Sequence, residues 1–234
     1  MSVKYRRPEV LKFSPIWQTI RAVLAGAKAV RDAGVRYLPM PNPDDTSDEN
    51  KARYKSYQER AMFYEATGRT HEGLIGQIFY RDPVVKLPSL LAPLEQSVDG
   101  GELTLEQQSK EAAGTVLALG HAGLLTDYPN AAGGATRADQ KLGKVRPTVI
   151  LYQPEQIINW RWSVTGVRRF LSLLVLEEQY DAEDDGYEAK KATQWRVFKI
   201  EEGILRAQVI REGDKGFEIT EDYYPTRGDG KNWE

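Results

Sequence analysis

The chain has 234 residues, 41% of them hydrophobic and 28% charged, enough length and apolar content to bury a core and far from the composition of disorder. Its 32 basic and 34 acidic residues leave a net charge of −2, which excludes the overall basic surface of a protein that binds nucleic acid everywhere. With no cysteine it has no disulfide, no thiolate nucleophile and no cysteine-based zinc site; residues 1–10 are charged where a signal peptide would be apolar, and no apolar run approaches the ~20 residues of a membrane span.

In chain order, Ser14-Pro15 is a capping residue followed by the residue pre-set for a first helical position. Ile16, Ile20, Val23, Leu24, Ala27 and Val30 then recur at helical spacing as far as Gly34, and Val35 to Pro39 reads as extended. A loop of Pro, Asn and Asp leads to a capping box, Thr46-x-x-Glu49, and a second helix predicted to run to Gly68. Thr70 is the expected cap of a third, ended by Asp82-Pro83. After an extended linker with three prolines, Thr104-x-x-Gln107 is a further capping box for a helix ending at Gly120, and Gly123 onward reads as a short strand.

Residues 130–144 lose apolar periodicity and are expected to form a surface loop. From Thr148 the chain turns to strands: Thr148 to Tyr152, Ile157 to Trp162, Val167 to Leu176, Thr193 to Ile200, Ile204 to Arg211 and Phe217 to Tyr224. Residues 180–191 are expected to interrupt them as an acidic loop, and residues 225–234 close no element, as though more protein should follow. Helices first and strands after predict an α+β protein, one domain of N-terminal helices packed against a C-terminal antiparallel meander.

Motifs for chemistry are sparse. His71 and His121 lie in different segments without a second histidine at metal-ligand spacing, and both read as structural. There is no phosphate-cradling glycine motif and no nucleophile elbow, so no catalytic, cofactor or metal residue is assigned. Asp127 at the end of its strand is the one acid worth testing for a metal-dependent nuclease or other hydrolase, although a turn role explains it. Arg137, Lys141, Lys144 and Arg146, against the single acid Asp139, form a basic loop patch able to contact phosphates or a partner. Five Trp and twelve Tyr suit surfaces where one side of a ring is buried and the other wet.

The order of several short motifs resembles a tailed-bacteriophage portal-protein family long described only as a domain of unknown function. They are Trp17, Tyr37-Leu38-Pro39, Tyr54-x-x-Tyr57-x-x-Arg60-Ala61 with Phe63, Thr67-x-Arg69-Thr70, Leu74-Ile75-Gly76-Gln77-Ile78-Phe79, Gly120 to Pro129, and Tyr152-x-Pro154-Glu155-x-Ile157-Ile158-Asn159-Trp160. The resemblance implies the wing portion of a subunit of a homo-oligomeric ring, typically a dodecamer, at one capsid vertex. Its implied partners are other copies of itself, the major capsid protein, the terminase, neck or tail adaptors, and the double-stranded DNA passing through the channel. It implies no cofactor, no membrane, and a place in the virion after assembly in the host cytoplasm. Portals of this kind continue into stem helices and a terminase-binding clip, which this sequence lacks. A different head-tail adaptor with a similar body is the other assembly reading.

Overall fold

The computed structural model describes residues 2–89, 91–127, 146–184, 186–213, 216–226 and 231. The protein is α+β; its described residues form five α-helices, a two-stranded sheet and a five-stranded antiparallel sheet whose strands lie side by side in sequence order. The chain divides into two compact units: a sheet unit of Met1–Phe13, Gly123–Leu125 and Leu151–Glu234, and a helical unit of Ser14–Ala122 and Thr126–Ile150.

α1 (Pro8–Leu24) starts six residues before the expected Ser14. Pro8 takes the first helical turn, where its missing N–H costs nothing, and Glu9 sits at the positive end of the helix. Pro15 therefore lies inside the helix and forgoes a bond to the preceding turn. The expected single helix to Gly34 is also broken: Gly26, at φ 86°, separates α1 from α2 (Ala27–Asp32). The Glu65 carboxylate supplies what Gly26 lacks, accepting from the Ala27 N–H at 3.0 Å. Instead of the expected extended segment, a 3-10 turn follows at Gly34–Arg36.

The capping box expected from Thr46 and Glu49 does not form; a simple cap one residue later takes its place. Ser47 accepts from the Asn50 N–H at 3.2 Å and opens α3 (Asp48–Arg60). The buried Asn50 amide donates to the carbonyls of Asn42 and Asp45, each at 2.7 Å, and ties the preceding loop to the helix. α3 stops eight residues short of Gly68, because Glu65 is drawn out to cap α2, and α4 (Ala66–Ile78) begins at once. Thr70 caps nothing; inside α4, it donates back to the Ala66 carbonyl at 2.9 Å.

In α5 (Leu105–Leu119) the expected capping box is complete: Thr104 accepts from the Gln107 N–H at 3.2 Å while the Gln107 side chain accepts from the Thr104 N–H at 2.9 Å. Gly120, at φ 92°, ends the helix in the left-handed region that side chains avoid. α4 meets α5 through His71 and Ile75, which lie over Gly114; a methyl group there would stand 3.0 Å from Ile75 Cδ1. Trp17 is buried in this unit, its indole N–H donating to the Leu119 carbonyl at 3.1 Å and its ring 5.7 Å from that of His121. Ile16, expected on the buried face, is exposed instead.

β1 (Gly123–Asp127) and β2 (Thr148–Tyr152) lie where the sequence puts them, and a 3-10 turn at Pro154–Gln156 follows. The meander follows as β3 (Ile157–Thr165), β4 (Arg168–Asp184), β5 (Ala189–Glu201), β6 (Ile204–Gly213) and β7 (Gly216–Tyr223). The acidic loop expected over residues 180–191 is a correction. The two strands continue through it, pairing Tyr180 with Ala192, Asp181 with Lys191 and Glu183 with Lys190. Opposite charges across a ladder offset the poor strand preference of acidic residues, and Glu183 and Lys190 meet at 2.7 Å.

The core of the sheet unit is Ile158, Val175, Trp195 and Val197, with Val3, Leu173 and Ile210 packed against it. The N-terminal segment straps this sheet. Arg7 donates its backbone N–H to the Ile158 carbonyl at 3.0 Å and its guanidinium to the Trp160 carbonyl at 2.7 Å. Arg6 meets Glu177 at 2.7 Å, and Lys4 meets Glu212 at 2.8 Å while lying over the Trp195 and Phe217 rings.

Ile158 has no exposed surface, so Ile158→Ala should lower the unfolding free energy by roughly 2–5 kcal/mol, through lost burial and the cavity left behind. Urea denaturation followed by tryptophan fluorescence measures this, and a loss under ~1 kcal/mol would mean that the residue does not anchor the core.

Candidate functional site

Arg137, Lys141 and Lys144, like the whole 130–144 segment and most of the 225–234 tail, lie outside the described residues. Arg146 is half-buried, and its guanidinium donates to the Ser97 carbonyl at 2.6 Å, to the Ser97 hydroxyl and to the Pro93 carbonyl at 3.3 Å. It holds the turn at Ala92–Glu95 to the chain before β2. His71 has its Nε2 2.9 Å from the Gly114 carbonyl, at the α4–α5 packing. His121 follows the left-handed Gly120, and Asp127 is the last residue of β1. The structure does not bring His71, His121 and Asp127 into one cluster, and no group of three His, Asp or Glu side chains able to hold a metal ion is found among the described residues. None of the described helices is long and apolar enough to cross a membrane.

The most developed polar arrangement belongs to the sheet unit and is absent from the sequence reading. It centres on Glu178. Strand alternation puts Glu178 of β4 and Gln194 of β5 directly opposite each other, with Arg196 two residues along on the same face. The Glu178 carboxylate accepts from Arg196 Nε at 2.7 Å, from the Tyr152 hydroxyl, and from Gln194 Nε2 at 2.8 Å. Arg211 of β6 extends the network, donating to Gln194 at 3.0 Å and lying 3.9 Å from the Tyr180 ring centroid. The Glu178 and Arg196 side chains are only 12% and 15% exposed.

Burial alone would push the Glu178 carboxyl up, but the donors from Arg196, Tyr152 and Gln194, with the positive charge of Arg196, hold it below the usual carboxylate range. The Glu178 carboxylate thus accepts three hydrogen bonds, two at Oε1 and one at Oε2. The arrangement suits a structural lock.

Two other features are smaller. An open depression of about 440 Å³ is lined by Glu201, Glu202, Ile204 and Tyr224, and its principal acid, Glu201, already accepts from Lys199 and Arg206 at 2.7 Å each. The Trp195 indole N–H is buried with no acceptor among the described residues, and its ring packs edge-on to Phe217.

The helical unit stands apart in how little apolar surface it hides. Among its described residues the buried hydrophobic side chains are Trp17, Val30, Val98 and Leu119. α4 buries none of its residues completely, and Leu74 and Ile78 are 43% and 56% exposed. Met62, Tyr64, Tyr80 and Val84 are exposed further still. Neither the known protein families nor the curated proteins include a match to this chain.

Glu178→Gln should cost about 3 kcal/mol of stability at pH 7, because it leaves the largely buried Arg196 without its counter-charge. A carboxyl with a lowered folded-state pKa stabilises fully above the ordinary carboxylate range, and that contribution is lost as pH falls through the lower folded value. The gap between wild type and variant should therefore close in strong acid. Urea unfolding across a pH series measures it, and a gap that stays constant with pH would contradict the assignment.

Proposed function

We propose that the chain is a structural subunit of a phage virion, the wing portion of a portal ring through which DNA is packaged and ejected. The observation that carries this reading is the helical unit's sparse interior beside its exposed Leu74, Ile78, Met62, Tyr64, Tyr80 and Val84. Covering these side chains with a neighbouring copy would add apolar burial that the helical unit has little of. The order of the motifs from Trp17 to Trp160 favours a portal among assemblies, and the Glu178 centre suits a body that keeps its shape under load. On this reading the copies of the chain contact one another, the major capsid protein, terminase and adaptors, and the protein resides in the virion after assembly in the host cytoplasm.

Leu74→Glu combined with Ile78→Glu is the discriminating variant. Both positions are partly exposed, so the two substitutions together should change monomer stability by about 1 kcal/mol, a loss that circular dichroism reports separately from self-association. Native mass spectrometry of the concentrated wild type should show weak self-association, short of a closed ring, and the double variant should show less. A wild type that stays monomeric at every concentration counts against the subunit reading. Incubation with double-stranded DNA and Mg²⁺ should leave the DNA intact; cleavage abolished by Asp127→Asn would establish the hydrolase in its place.

A further inference from the structure

The β3–β4 hairpin gathers unmatched charge and unburied apolar surface in one place. Residues 157–176 contain Arg161, Arg168 and Arg169 and no acid. All three arginines are exposed, and none forms an ion pair with the described residues. Other basic side chains of the sheet unit are matched: Lys4 by Glu212, Arg6 by Glu177, Arg196 by Glu178, and Arg206 by Glu201 and Asp222. Three guanidiniums without a counter-charge on one hairpin attract an anion from outside the chain.

The end of the hairpin is apolar. Thr165 pairs with Arg168, so Gly166 and Val167 make the turn. Gly166, at φ 60°, supplies the left-handed conformation that such a turn needs in its first position. The second position ordinarily takes a polar turn residue, yet here it holds Val167. Among the described large hydrophobic side chains none is more exposed than Val167, and Val164 is 68% exposed. Behind them, Trp162 is half-exposed and the Arg169 guanidinium lies 4.8 Å from its ring centroid, so the two side chains share one level of the hairpin.

The order along the hairpin is therefore apolar tip first, then guanidiniums beside an amphipathic ring. Arg169 and Trp162 stand three and four residues back from Gly166, roughly 10–13 Å at about 3.3 Å per residue. An element held in a bilayer interface is buried to a similar depth, about 5–10 Å.

We infer that the β3–β4 hairpin docks tip-first on an anionic lipid surface. Val167 and Val164 enter the boundary between headgroups and acyl chains. The guanidiniums of Arg161, Arg168 and Arg169 reach back to lipid phosphates, whose oxygens fit the arginine fork, and their stems cover the apolar tip. Trp162 lies at the headgroup level, where a ring with one polar N–H is favoured. A nucleic-acid backbone would answer the arginines and leave Val167 in water, whereas an anionic bilayer answers both. Two valines do not span a membrane, so the attachment is peripheral and reversible. It lies beyond the subunit reading, does not rest on it, and is not implied by the portal resemblance.

The test uses the 234-residue chain and vesicles of phosphatidylcholine, with or without phosphatidylserine. Because the chain has no cysteine, a single introduced thiol carries an environment-sensitive fluorophore cleanly. The label on Val167→Cys should shift to the blue with phosphatidylserine vesicles and stay unshifted with phosphatidylcholine alone. The same label on Val84→Cys, exposed in the helical unit, should not respond to either. Co-sedimentation of the unlabelled chain should show the same lipid preference and weaken as salt is raised. Arg168→Gln with Arg169→Gln should reduce vesicle affinity about twenty-five-fold, roughly fivefold for each guanidinium. Val164→Ser with Val167→Ser should reduce it about tenfold, while circular dichroism of every variant matches the wild type. No shift at position 167, an equal shift at position 84, or binding that survives the arginine substitutions overturns the docking. A shift produced by a DNA duplex and not by vesicles overturns it as well and assigns the arginines to nucleic acid. Each of these results leaves self-association, and with it the subunit reading, to its own measurement.

Discussion

Ile158 has no accessible surface, and two kinds of bond meet on it. Its side chain packs among Val175, Trp195 and Val197 of β4 and β5, and its carbonyl accepts the backbone N–H of Arg7. One residue thus ties the first strand of the meander to the next two and to the strap from the N-terminus. With that point fixed, Arg6 reaches Glu177 and Lys4 lies over Trp195 within reach of Glu212. The opposite face of the same strands carries the Glu178 network, so one face is held by apolar contact and the other by charge-assisted hydrogen bonds.

The two units reach order by different means. The sheet unit hides Val175, Leu176, Trp195, Val197, Ala207 and Val209 and compensates its buried carboxylate with three donors. The helical unit relies on local devices: the Thr104 box, the Ser47 cap, the Glu65 carboxylate over α2 and the Asn50 amide across its loop. Such devices contribute about 1 kcal/mol each and define helix ends well, but they do not replace a core.

Features set by a few adjacent residues were legible in the sequence. The α5 box, the helix end at Gly120 and the order of the strands all lie where local chemistry places them. Reading failed where a distant residue decides the outcome. The long helix expected from Thr46 to Gly68 ends early because Glu65 serves Ala27, thirty-eight positions away, and no local pattern records that demand. The acidic run after Tyr180 looks like a loop until Lys190 and Lys191 are set across from it. The Glu178 centre drew residues from β2, β4 and β5, and its trace in the sequence was the same-face spacing of Gln194 and Arg196. Of the basic patch proposed on the long loop, Arg146 is committed to backbone carbonyls and the Ser97 hydroxyl.

β7 is an outer strand of the meander, and all its residues except Tyr223 are exposed. An open strand edge invites another strand, and the simplest visitor is the same edge of a second molecule turned by a half rotation. β7 carries Glu218, Glu221 and Asp222 and no basic residue, and although Arg206 of β6 holds Asp222, that visitor would still set Glu218 and Glu221 against carboxylates. The rim of the sheet thus discourages the symmetric pair that would use up two molecules and stop growth, and it leaves open those geometries in which each copy presents different surfaces to its two neighbours.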